Sequence, residues 1–254
     1  MPPLGRWLVS YGVPAFLSIT TTFIVMRWLF RKELCAAIEG EVEAKPLRSE
    51  GALVLGGLGA VIAVLLTASS LGKDLGLPTC VAALAITAVV SIKARSNPLR
   101  LAPEISWATL ALVVGLFVMV DAMESIGAMQ QTRDWLTWAQ TLGSTTGTLI
   151  TGFAVGIANN LVNNLPLGLI AGSTLQAAHT NGLIADAVLI GVDLGPNLSI
   201  TGSLATILWM IALRKEKLDV SFWDFLKVGV VAMPIALLAS LGGAIFMQMC
   251  FRVH

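Results

Sequence analysis

Eight apolar segments constrain what this chain can fold into: residues 8–30, 51–71, 78–92, 105–122, 144–160, 165–178, 183–213 and 225–250. A helix needs ~20 residues to cross a ~30 Å hydrocarbon core at ~1.5 Å per residue. Segments 8–30, 51–71, 105–122 and 225–250 meet or approach that length. Segment 78–92 does so if its flanks are shared with the interface. Charged residues make up 12% of the chain, against about 25% in soluble domains. The bilayer is therefore the solvent of these segments, and the chain reads as an all-α integral membrane protein.

Lys and Arg in the connections set the expected orientation. The loops 31–50 (Arg31, Lys32, Lys45, Arg48), 93–104 (Lys93, Arg95, Arg100) and 214–221 (Arg214, Lys215, Lys217) hold ten of them. The remaining connections and the C-terminal end hold four: Arg6, Lys73, Arg133 and Arg252. The three basic loops are expected on the cytoplasmic side, with both termini outward and Arg27 adding to the inner flank of the first helix. No small-residue cleavage site follows a short apolar core, so the first segment does not read as a removable signal peptide.

Segments 144–160 and 165–178 are too short for comfortable spans, and both ends of the pair must face outward for this alternation to hold. Two full spans or a re-entrant hairpin would satisfy it. The linker "NNLVNNLP", 159–166, carries four Asn and a Pro but no Lys or Arg, which favours a hairpin over about 144–178 with its tip inside the protein. Non-helical backbone at that depth is tolerated where protein buries it or where it lines a wet cavity. Asn164 suits the cap of the returning helix and Pro166 its first turn.

A second interruption lies in "GVDLGPNLSITG", 191–202, inside a segment 183–213 that is too long for one simple span. Gly191, Gly195 and Pro196 break the helix. A half-helix starting near Asn197 or Ser199 would aim its free N–H groups at the membrane interior. Secondary transporters build solute and ion sites from such discontinuous helices. The candidate solute-binding residues are therefore Asn159, Asn160, Asn163, Asn164, Gly195, Pro196, Asn197, Ser199 and Thr201. Asp193 is the one acid at the break. A charge in a membrane segment costs at least ~2.5 kcal/mol and marks function by default. Gly152 and Gly156 form a small-xxx-small pair expected to serve helix packing. Asp121, Glu124 and Asp186, at segment ends, read as interfacial.

Several function classes are excluded. A net charge of +1, with the basic residues confined to short loops, does not suit nucleic acid. Cys35, Cys80 and Cys250 are far apart and have no CxxC or neighbouring His, so no metal site, cofactor site or disulfide framework is readable. His179 and His254 read as solvated. No nucleophile paired with His and no phosphate loop is present, so the chain reads as a transporter and not an enzyme.

The stretches "NNLVNNLPLGLIAGSTL", "GVDLGPNLSITGSLATILWMIALRKEKLDVSFWDFLKVG" and "VPAFLSITTTFIVMRWLFRKEL" closely resemble the later part of the arsenical pump membrane protein family, the ArsB-type arsenite permeases of the ion transporter superfamily. The resemblance covers essentially the whole chain and is most specific over 150–230. It implies one repeat of an inverted-repeat transporter, with one re-entrant helical hairpin and one broken helix. Residues 1–50 would be a transmembrane helix and cytoplasmic linker between repeats, and 51–254 the C-terminal transport repeat. The family motifs fall on Asn163, Asn164, Leu165 and Pro166 at the hairpin tip, and on Asp193, Gly195, Pro196, Asn197, Ser199 and Thr201 at the break.

The resemblance further implies a multi-pass protein of the inner cell membrane that exports arsenite or antimonite in exchange for protons. A separate ATPase subunit can associate with such permeases. Arsenous acid is neutral and carries three hydroxyls, which suits amides, hydroxyls and open backbone. Asp193 is the candidate proton carrier, because burial disfavours a carboxylate's charged form. Family members are longer and contain an earlier repeat, so activity is expected to need that missing N-terminal half. The alternatives are a non-transporting membrane remnant or interaction protein, and a sodium-coupled anion carrier of the same superfamily. The absence of a basic residue near either break weighs against an anionic solute.

Overall fold

The computed structural model describes residues 4–35, 49–93, 97, 107–178, 180 and 182–251. Lys45, Arg48, Arg95, Arg100 and Arg252, which carry part of the expected orientation, and His179 and His254 lie outside the described residues. The described residues form helices and turns, with no strand among them. The helices are α1 Leu4–Leu29, α2 Arg31–Leu34, α3 Ser49–Ser70, α4 Gly76–Lys93, α5 Trp107–Ser125, α6 Ala128–Thr141, α7 Ser144–Val162, α8 Asn164–Ala177, α9 Leu183–Leu194, α10 Leu204–Lys215 and α11 Phe222–Phe251. Among the described residues, five stretches are long and apolar enough to cross a membrane: 10–29, 51–70, 76–93, 107–125 and 222–250. They fall within a few residues of the five expected spans, and the chain is an all-α, multi-pass membrane protein.

The chain divides into two compact units. One comprises residues 1–9 and 37–111, the other 10–36 and 112–254. The first is built on α3 and α4, which pack together where a Cβ on Gly57 would come within 2.7 Å of Ile86 Cγ2. Gly72, at φ 64, ends α3: its N–H donates to Ser69 O at 3.1 Å and that of Lys73 to Ala68 O at 2.9 Å. This is a Schellman close, in which glycine adopts the left-handed conformation without a Cβ clash.

The second unit holds most of the buried core. Leu183, Ala187 and Ile190 of α9 meet Met233, Leu237, Leu241 and Ala244 of α11. Their spacing of three and four residues puts each set on one helix face. Ser221 starts α11: its Oγ accepts from Asp224 N at 3.1 Å and donates to Asp224 Oδ2 at 2.6 Å. Residues 128–141, read in the sequence only as a connection carrying Arg133, form α6. This helix buries Leu136 and Ala139, with Leu136 against Ala171, Ile184 and Val188.

Candidate functional site

The hairpin comprises α7 and α8, joined by the single residue Asn163. At ~1.5 Å per residue, the 14 residues of α8 and the 12 each of α9 and α10 reach only part of the way through a bilayer core. Small residues repeat along the buried face of α7, at Gly147, Thr148, Thr151, Gly152, Gly156 and Asn159. A Cβ on Gly191 would lie 2.7 Å from Gly152 O, and one on Gly195 would lie 2.6 Å from Gly156 O. Two glycine pairs, 152/191 and 156/195, thus let the backbones of α7 and α9 touch, which is the packing expected of the Gly152/Gly156 spacing.

This contact brings the hairpin tip to the break. Helix α9 stops at Leu194, followed by a tight 3₁₀ turn Gly195–Asn197, extended Ser199, a second turn Ile200–Gly202 and extended Ser203. Pro196 explains the first gap. In an unbroken helix the amide four residues on would bond Val192 O, but proline has no N–H to give. Asn159 supplies the donor instead: its Nδ2 lies 2.6 Å from Val192 O and 3.3 Å from Gly191 O. Asn160 Nδ2 donates to Gly195 O at 3.0 Å and to Gly156 O at 2.9 Å. Asn163 Nδ2 donates to Thr201 O at 3.1 Å. Asn159 therefore replaces the backbone donor that Val192 O has lost, Asn163 supplies one to Thr201 O, and Asn160 adds a second donor to Gly195 O, which also accepts from Leu198 N at 3.1 Å.

Return bonds run from the break to the hairpin. Ser199 Oγ donates to Asn160 Oδ1 at 2.7 Å, and Thr201 Oγ1 donates to Asn160 O at 2.9 Å. The two hydroxyl oxygens also lie 2.9 Å apart. Each hydroxyl has one proton, so with both bonds to Asn160 made, no proton remains between Ser199 and Thr201. Three contacts compete for two hydroxyl hydrogens. Asn159 Oδ1 and Thr151 Oγ1 are buried without a partner among the described residues. Orphaned buried acceptors cost about 1–3 kcal/mol each and call for an explanation where they occur.

Asn163 departs furthest from ordinary backbone, at φ 80 and ψ 149. Non-glycine residues seldom occupy this region, and such strain concentrates at functional sites. Two sequence expectations are corrected here. The cap of α8 is Asn163, whose Oδ1 accepts from Leu165 N at 3.3 Å, and not Asn164, which is the first residue of the helix. The second half-helix starts at Leu204 with Ser203 as its cap, accepting from Ala205 N at 3.1 Å. It does not start near Asn197 or Ser199, because Ser199 spends its hydroxyl on the hairpin. Ser203 was not among the candidate residues; the sequence offered it only as one hydroxyl among several.

The other candidates stand apart from this clamp. Asp193 lies in the last turn of α9 with an exposed side chain, and Asn197 is exposed as well. Asn164 is half-buried. None of these three side chains has a hydrogen bond to another described residue. Pro196 is buried, and a Cβ on Gly202 would come within 2.7 Å of its Cα. Gly229 of α11, which the sequence gave no reason to single out, abuts the break. A Cβ there would collide with Leu198 O and lie 2.6 Å from Asn197 O. Asp186, read as interfacial, is half-buried and accepts a 2.6 Å hydrogen bond from Tyr11 Oη.

A family model described as the arsenical pump membrane protein, ArsB, matches residues 7–247. An arsenical pump membrane protein of Escherichia coli is 25% identical over 237 residues, covering 87% of this chain and 54% of the relative. One of Yersinia enterocolitica is 24% identical over 228 residues, covering 84% and 52%. An uncharacterized transporter of Mycobacterium bovis is 29% identical over 214 residues, covering 78% and 48%. The chain spans about half the length of the relatives it matches. No solved structure matches it.

Proposed function

Because the chain belongs to the arsenical pump membrane protein family, we propose that it is the later part of an efflux permease that exports the neutral hydroxide of trivalent arsenic or antimony in exchange for protons. The observation that carries this reading is the proton-poor cluster at the break, where Ser199, Thr201 and Asn160 make three contacts with two hydroxyl hydrogens. A solute with several O–H groups supplies the missing donor to these hydroxyl oxygens. The half-buried amide of Asn164 and the exposed amide of Asn197 offer further donors without a cationic group, which fits a neutral solute better than an anion. Asp193 is the proton-coupling acid: it stands one residue from Val192, whose carbonyl Asn159 holds. In this reading an earlier repeat completes the working unit, and an ATPase subunit is a further partner.

The test is arsenite uptake into everted vesicles from cells lacking their own exporter, with the chain expressed alone and with a matching earlier half. Uptake driven by a proton gradient is expected only with both parts. Asp193→Asn should lower it at least tenfold at unchanged protein level in the membrane. Uptake surviving that substitution would remove Asp193 as the carrier. No uptake from either combination would favour a non-transporting membrane protein.

A further inference from the structure

Beside the break the second unit holds a cavity of about 700 Å³, with Asn197 in its wall, Phe30 and Trp209 at its sides, and Asp224, Lys227 and Val228 of α11 lining it. We infer that this cavity is the aqueous vestibule through which a small neutral solute reaches the broken helix from the Lys- and Arg-rich side of the membrane. The inference rests on the proposed transport function for the identity of the solute, and on geometry for the route.

Three observations support the route. First, the cavity reaches the break itself. Asn197 belongs to the 3₁₀ turn that follows α9, and its amide, exposed and without a hydrogen bond among the described residues, is free to meet a solute. Gly229, also in the lining, brings α11 against the carbonyls of Asn197 and Leu198. Wall and break are thus in direct contact.

Second, the lining is mixed in character. The aromatic and aliphatic side chains of Phe30, Trp209 and Val228 share it with the charged residues Asp219, Asp224 and Lys227. Those charges adjoin the connection that carries Arg214, Lys215 and Lys217, the loop expected on the cytoplasmic side. Charged groups within hydrocarbon are costly unless they face protein or water, and the side chains of Asp219, Asp224 and Lys227 are largely exposed, so the cavity opens to water where they line it.

Third, the charges at the mouth balance. Asp219 lies 3.6 Å from Arg214, and Asp224 lies 3.5 Å from Lys227. A cleft lined by one sign of charge would concentrate ions of the other sign. A mouth of paired charges does not, which suits an uncharged hydroxylated solute.

The experiment introduces one cysteine at a time into the full chain after Cys35, Cys80 and Cys250, all exposed, are changed to Ser. Val228→Cys reports on the cavity wall and Ala232→Cys is a second reporter from the same wall. Val230→Cys, an exposed position of α11 outside the lining, serves as control. In everted vesicles, the anionic sulfonatoethyl and cationic trimethylammonium-ethyl methanethiosulfonates should modify Val228→Cys at least tenfold faster than Val230→Cys. Their two rates should agree within about threefold. In right-side-out vesicles the reaction should be at least tenfold slower.

Equal rates at 228 and 230, with 232 also unreactive, would overturn the vestibule; so would faster reaction from the opposite side. A tenfold preference for one charge would overturn the neutral mouth. With the complementary half present, modification at 228 should reduce arsenite uptake at least fivefold. Undiminished uptake after full modification would show that solute enters elsewhere. Absence of uptake before any modification would count against the transport reading, while the labelling rates would still decide whether the vestibule exists.

Discussion

In α3 and α4 the helices are unbroken, and their hydroxyl groups bond back to their own backbone: Thr67 to Ala63 O at 2.7 Å, Thr87 to Ala83 O at 2.8 Å. Around Gly195 the helix is open, and the hydroxyls and amides bond across to another element, over separations of 32 to 41 residues. Both regions must leave few backbone groups unpaired where water is scarce. The first does so within each helix, leaving side chains such as Leu55, Leu58 and Leu84 exposed as apolar surface. The second gives up helical pairing at Pro196 and draws its donors from Asn159, Asn160 and Asn163. Local satisfaction leaves a helix with nothing further to offer a solute, whereas borrowed satisfaction creates groups that a solute can compete for.

Substitutions at glycine test this contrast most strongly. Gly195→Val should be the most damaging, because its Cβ would lie 2.6 Å from Gly156 O and 2.7 Å from Asn159 Nδ2, and backbone cannot yield as a side chain can. Overpacking of this kind costs ~3 kcal/mol or more. The thermal transition of the detergent-solubilised protein should fall sharply, and a transition at the wild-type temperature would mean that the crossing of α7 and α9 is not tight. Asn159→Ala should be intermediate. It removes the donor to Val192 O and costs about 1–3 kcal/mol for the carbonyl left behind, read as a smaller drop in the same transition. Gly57→Ala in α3 should cost least, about 1 kcal/mol or less, since Ile86 can shift its side chain. If Gly57→Ala proved as damaging as Asn159→Ala, the two regions would not differ in the way described.

The sequence showed the regular region more fully than the irregular one, for a physical reason. A stretch of about twenty apolar residues can do little other than span, so the five long helices were legible within a few residues. The hairpin tip and the break were legible as positions, from the Asn-rich linker and from Gly195–Pro196. Which donor meets which carbonyl was not, because those pairings join residues far apart in the chain. Asn163 and Asn164 look alike as caps until the strained φ of Asn163 is known. Ser199 looks as good a helix start as Ser203 until its hydroxyl is found on Asn160. Helix α6 was missed because it is short and polar along most of its length; the Leu136 and Ala139 pair three residues apart was the available signal. Nothing in the run around Gly229 distinguishes it from the other glycines of membrane helices.

The clamp between hairpin and break consists wholly of amides, hydroxyls and carbonyls. Since none of these groups carries a formal charge, the electric field across a bilayer exerts almost no net force on it, and its geometry is indifferent to membrane voltage. Asp193, one residue beyond the carbonyl that Asn159 holds, is the charge at the break on which that field can act, at ~2.3 kcal/mol for a full charge crossing 100 mV. An electrically silent scaffold thus adjoins one carboxylate, so a voltage dependence arising at the break would report on that carboxylate and not on the fold around it.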